Sequence, residues 1–149
     1  MKTRYHISPA QLRDTFSELR RCGSGKRECQ VLWLSPWARP HVITKVVHPR
    51  HTASTVSFDL DERWLHEFWT DLSVKRMGVR AQVHTHPGSA FHSRVDDRWP
   101  IVHTAGFLSL VVPTFAQGNV GFEGAYLAEI GSDGRWVRAD IHDRIVVTP

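Results

Sequence analysis

The residues best able to do chemistry stand between positions 84 and 97, in the string His-Thr-His-Pro-Gly-Ser-Ala-Phe-His-Ser-Arg-Val-Asp-Asp. In a β-strand, residues i and i+2 point to the same face, so His84 and His86 can present two imidazoles side by side. Pro87 cannot continue a strand ladder and turns the chain away. A small, polar loop then leads to Asp96 and Asp97, either of which can return a carboxylate. Two imidazoles and one carboxylate suit Zn2+. Three protein ligands leave the fourth tetrahedral position open to water, as in a catalytic rather than a structural zinc site. A blander account is close at hand. Ten histidines in 149 residues make chance His-x-His pairs common. Ser93-x-x-Asp96 also spells a capping box, with Ser93 as N-cap and Asp96 at the third helical position. The two accounts are compatible, because a ligand at a helix start is held rigidly.

Such a site needs a frame. Ser8-Pro9 reads as an N-cap followed by proline at the first helical position, and Leu12, Phe16 and Leu19 recur at helical spacing up to a stop at Gly23. GSGKR makes a turn, and Glu28 opens a run, ECQVLWLS, that reads as a buried strand. The β-branched segment His41 to His48 reads as a second strand and TVSF, near 55–58, as a third. Asp59 to Met77 reads as the main helix, with Leu60, Trp64, Leu65, Phe68, Trp69 and Leu72 as its apolar stripe and Gly78 as its end. Val79 to Thr85 returns to strand, residues 87–93 form a loop, and a short helix interrupted near Pro100 follows. FLSLVVP, EGAYLAEIG and RWVRADI complete the sheet, with a GSDG turn between the last two. The expected fold class is α/β, a mixed sheet flanked by helices, in a single domain spanning 1–149. Trp33, Trp64 and Trp69 are expected in the core; Phe91 and Trp99 flank the site loop, where a substrate groove would run.

Composition narrows the setting. The net charge of +4 is mild, and Lys and Arg are scattered rather than gathered into runs, so a nucleic-acid partner is not expected. Cys22 and Cys29 lack CxxC spacing and are too few for a disulfide scaffold, so they are expected to be ordinary thiols of a reducing compartment. The opening residues MKTRYHISPAQL lack the apolar core of a signal peptide, and no run is long enough to cross a membrane as a helix. A cytoplasmic protein without a membrane partner is the expectation.

Taken whole, the string resembles the motif of the JAMM/MPN+ zinc metalloproteases: a glutamate upstream, then HxHP, a loop, and SxxD. The match runs through Glu28, His84, His86, Pro87, Ser93 and Asp96, and AFHSRVD is similar to the corresponding loop of the deubiquitinating members. The order of elements agrees from about residue 8 to residue 130. The resemblance implies a cytidine-deaminase-like JAB/MPN fold and one Zn2+ per chain, held by His84, His86 and an aspartate. It implies Glu28 as general base and Ser93 as donor to the tetrahedral oxyanion. One departure leaves the aspartate open. The family's usual spacing from the second histidine selects Asp97, whereas Ser-x-x-Asp selects Asp96. Neighbours on a helix point about 100° apart, so one of them binds and not both; Asp96 is preferred, because loops tolerate deletion better than helix starts do.

The same resemblance implies a peptidase or isopeptidase that cleaves after the C-terminal glycine of a ubiquitin-like protein, whose tail would lie extended beside a strand edge. The chain is little more than the minimal domain and looks like the compact bacterial members found in operons with ubiquitin-like conjugation enzymes, some of which act in antiphage defence. The partner implied is a ubiquitin-like protein or its conjugate. Two alternatives stand beside this reading. A catalytically silent MPN scaffold typically lacks several ligands, whereas all the required types occur here. A metal-dependent nuclease fits the basic character and the histidines but lacks a basic stripe or a nuclease motif. A zinc deaminase would need HxE and PCxxC, and neither is present.

Overall fold

The computed structural model describes residues 3–53, 58–93 and 101–149. After a short strand, β1 (Tyr5–Ile7), comes helix α1 (Pro9–Gly23). Ser8 starts α1 with a full capping box: its hydroxyl accepts from Gln11 N at 3.1 Å and the Gln11 side chain accepts from Ser8 N at 3.4 Å. Ser24 closes the helix in the left-handed region. Strands β2 (Gln30–Pro36), β3 (Lys45–Val47), β4 (His51–Ala53) and β5 (Phe58–Leu60) precede helix α2 (Glu62–Lys75). Then come β6 (Met77–Thr85), β7 (Leu108–Val112), β8 (Tyr126–Ile130), β9 (Trp136–Ala139), the short helix α3 (Ile141–Arg144) and β10 (Ile145–Val147).

Six strands form one mixed sheet in the order β3-β2-β6-β7-β8-β9. Strand β6 is its spine, antiparallel to β2 and parallel to β7. The α1 face of the sheet buries Leu12, Phe16 and Leu19 of the helix against Val31, Trp33, Ala81, Val83 and Leu110. The indole nitrogen of buried Trp33 donates to Thr15 Oγ1 at 2.9 Å. On the other face Phe68 and Leu72 of α2 pack on Leu32, Leu34, Val79, Phe107 and Ile130. A register shift between Trp33 and Leu34 makes Arg80 the extra residue of a bulge, and its guanidinium donates to Ser35 Oγ at 2.7 Å. Away from this sheet, β1 and β10 pair in parallel and β4 and β5 pair as a hairpin. Among the described residues no helix is long and apolar enough to cross a membrane.

The expected α/β class and sheet hold, with local corrections. The helix of α2 stops at Arg76, which caps it in the left-handed region; Gly78 lies inside β6. Leu60 belongs to β5 rather than to the helical stripe. Trp69 is 37 % exposed, because α2 lies on the sheet through Phe68 and Leu72 and turns Trp69 outward. Of His41 to His48 only Lys45–Val47 enters the main sheet, while Val42 bridges His6 of β1. The cysteines are not separate thiols. The turn after α1 folds β2 back so that Cys22 and Cys29, seven apart in sequence, form a disulfide with Cα atoms 5.9 Å apart. TVSF and the short helix near Pro100 lie largely outside the described residues.

Candidate active site and metal centre

The α2 face of the sheet is apolar at one end and polar at the other. Gln30 pairs with His84 across β2 and β6, and Gln82 pairs with Ser109 across β6 and β7. All four side chains are buried. Continuing that register by two residues sets Glu28 opposite His86. The backbone confirms the alignment. Thr85 N donates to Cys29 O at 3.1 Å, and Cys29 N donates to Thr85 Oγ1 at 3.0 Å. The threonine between the two histidines thus clamps the start of β2 to the end of β6 from the α1 face. Glu28, His84 and His86 are then gathered at the opposite face, each no more than 7 % exposed.

Beyond β6 the chain is held by a left-handed turn. Thr114, Phe115 and Ala116 all have positive φ, between 51° and 61°, a conformation that costs non-glycine residues energy and persists only where the surroundings enforce it. Here Phe115 N donates to His86 O at 2.9 Å and Thr114 N donates to Gly88 O at 2.9 Å, fixing the backbone on both sides of Pro87. The loop 87–93 then returns over the polar end of the sheet. Phe91, 53 % exposed, sets its ring edge-on to His86 at 4.6 Å. His92 Nε2 lies 3.1 Å from Ser109 Oγ, and its ring packs 4.7 Å from Trp136 and 6.2 Å from His84. Ser93 is partly buried at the end of this loop. Asp96, Asp97 and Trp99 lie outside the described residues.

The two imidazoles pass a simple test for sharing an ion. With Zn–N distances near 2 Å and tetrahedral angles, ring centroids on one ion stand about 5 Å apart; those of His84 and His86 are 5.3 Å apart, with planes at 49°. Two buried imidazoles and a buried carboxylate at one end of the strand pair are the residue types that a metal centre and a proton acceptor need.

A second cluster was not anticipated. Cys22, Cys29, His48 and His51 place one ligand atom each within 4.8 Å of all the others. Both histidines are half-buried, and their rings lie 4.8 Å apart. Burial is the first cause holding the His48 imidazolium below its usual range, followed by the neighbouring His51, with Glu18 opposing and Arg21 assisting. Burial likewise lowers His51, against the Pro49 carbonyl and with Arg27. The signal in the sequence was there: Cys-x6-Cys followed by His-x2-His.

No protein-family model matches the chain. It is 33 % identical over 125 residues to the "probable metalloprotease y4jG" of Sinorhizobium fredii, covering 80 % of this chain and 77 % of that one. Among solved structures it resembles a protein of Desulfitobacterium hafniense (TM-score 0.68, 14 % identity, 97 % of this chain and 92 % of that one). A protein of Salinibacter ruber is also similar (TM-score 0.56, 16 % identity, 100 % and 92 %). So is a JAB1/MPN domain protein of Archaeoglobus fulgidus (TM-score 0.50, 14 % identity, 97 % and 99 %).

Proposed function

The chain belongs to the JAMM/MPN-like metalloproteases, and on that premise we propose that it is a zinc-dependent peptidase or isopeptidase that cleaves after the C-terminal glycine of a ubiquitin-like protein. The observation that carries the reading is the convergence of Glu28, His84 and His86, all buried, at one end of the β2–β6 pair. His84 and His86 would hold the ion, with Asp96, or Asp97 in its place, as the third ligand. When bound, the ion supplies Lewis acidity and a more acidic water.

The protein's own groups do the rest. Glu28 takes the water's proton and later hands one to the leaving amine. Its burial beside His86 keeps bulk water from competing for that proton. Ser93 donates a hydrogen bond to the oxyanion as the carbonyl becomes tetrahedral. Phe91, exposed and braced on His86, forms one wall for the substrate's extended tail. The substrate is a ubiquitin-like precursor or conjugate, and a place in bacterial antiphage defence belongs to the same proposal, as does a cytoplasmic setting.

The test is hydrolysis of a fusion carrying a ubiquitin-like domain that ends in glycine. Glu28→Gln is expected to lower kcat by roughly 10²–10⁴-fold with the fold and the zinc content kept. Full activity in Glu28→Gln would overturn the assignment of the base. A wild-type protein that binds no zinc at His84 and His86, even after metal is added, would leave a silent scaffold as the better account.

A further inference from the structure

We infer that Cys22, Cys29, His48 and His51 form a second, structural metal site of the Cys2His2 type, separate from the His84–His86 centre and filled by Zn2+ when the two sulfurs are reduced. The four residues come from two places that the fold brings together: the last turn of α1 and the residue before β2 supply the sulfurs, and the β3–β4 connection and the first residue of β4 supply the imidazoles. Each imidazole faces one sulfur. His51 Nε2 lies 3.2 Å from Cys22 Sγ and His48 Nε2 lies 3.4 Å from Cys29 Sγ. With Zn–S near 2.3 Å and Zn–N near 2.0 Å, the S···N edge of a zinc tetrahedron is about 3.5 Å, so both edges are already set.

The second partner of His51 points the same way. Its Nδ1 lies 2.8 Å from the Pro49 carbonyl oxygen. A carbonyl can only accept, so the proton sits on Nδ1 and the lone pair on Nε2 is turned toward the cysteines. Metal-ligating histidines are commonly oriented by such a hydrogen bond. Four ligands of this kind close the coordination shell, which marks a structural rather than a catalytic ion.

The disulfide is the oxidised, metal-free form of the same four residues. Two electrons convert the Cys22–Cys29 bond into two thiols: a dithiol supplies them with two protons and becomes a disulfide, or a phosphine supplies them and becomes the phosphine oxide, water giving the oxygen and the two protons. Zn2+ then displaces both thiol protons and binds the thiolates, and the sulfurs separate to the tetrahedral edge. Loss of the ion to a chelator, followed by oxidation of the thiols by a peroxide or disulfide oxidant, runs the sequence backward. Because Cys29 adjoins Glu28 and is tied through its backbone to Thr85, the ion would fix the strand start that carries the base.

The test is cobalt substitution of the full chain, reduced with a phosphine and freed of metal. Co2+ is expected to give thiolate-to-metal charge-transfer absorption and the strong visible bands of a tetrahedral ion. Cys22→Ser is expected to weaken the charge-transfer absorption severalfold, whereas His86→Ala, which strikes only the other centre and carries no sulfur, leaves that absorption unchanged. His51→Ala is expected to lower zinc content by one equivalent with the His84–His86 equivalent retained. Reduced wild-type protein that shows no charge-transfer absorption with Co2+ would overturn the proposal. So would Cys22 and Cys29 remaining fully reactive toward a thiol reagent in excess Zn2+. Neither result depends on peptidase activity, so failure here leaves the catalytic reading standing.

Discussion

At the scale of single residues, the site depends on groups that never touch substrate. Thr85 is fully buried, and its hydroxyl accepts from the backbone N–H of Cys29. Thr85→Val keeps the shape and removes that acceptor. A buried donor left without its partner costs about 1–3 kcal/mol, so the denaturant midpoint is expected to fall by a matching amount. Because the lost bond joins the strand start beside Glu28 to the strand end between the histidines, kcat is expected to fall as well. Phe91→Ala separates binding from stability: with the ring half exposed, the midpoint is expected to stay put while KM for a glycine-ended substrate rises severalfold. Equal losses of stability and affinity would show that Phe91 is packing rather than a substrate wall.

At the scale of elements, the helix ends carry measurable energy. Ser8→Ala breaks both hydrogen bonds of the α1 capping box and is expected to cost about 1 kcal/mol in chemical denaturation. This cap was legible in Ser8-Pro9, because N-cap chemistry is local. The stop of α2 was not. Gly78 is the obvious terminator in the sequence, yet Arg76 takes the left-handed cap, and Gly78 instead leaves room for the Arg80 guanidinium, which an added Cβ would approach to 2.8 Å. Arg76→Gly is therefore expected to stabilise the protein by about 0.5–1 kcal/mol, read as a rise in the same midpoint. The division recurs at the site. His84 and His86 could be paired from the two-residue period of a strand, whereas the contact of Glu28 with their end of the sheet needs strand register that only tertiary pairing supplies. Cys22, Cys29, His48 and His51 were missed for the same reason: the Cys-x6-Cys and His-x2-His pairs stand apart in the sequence and are brought together only by tertiary packing.

At the scale of the whole molecule, acid is expected to loosen the metal-free protein. His48 and His51 have folded-state values below their usual 6.5, mainly through burial. The unfolded chain therefore binds more protons than the native one, and stability rises with pH across that window. Their contribution is complete above about 6.5 and is lost as pH falls through the lowered values. Denaturant midpoints measured on the disulfide form at pH 7.5 and pH 5 are expected to show the decline, and a His48→Gln, His51→Gln double variant is expected to flatten it.

The pairing of β1 with β10 joins the two extremes of the described chain. Tyr5 sits beside Ile145 and Ile7 beside Val147, Arg4 donates to the His142 carbonyl at 2.8 Å, and Arg144, itself bound to Glu129 at 2.8 Å, donates to the Thr3 carbonyl. Emerging from a ribosome, Tyr5–Ile7 is made long before its partner Ile145–Val147. At ordinary elongation speeds the early strand waits on the order of ten seconds with its partner unmade. A chain cut short of residue 145 would therefore leave β1 without its partner strand and open to proteolysis.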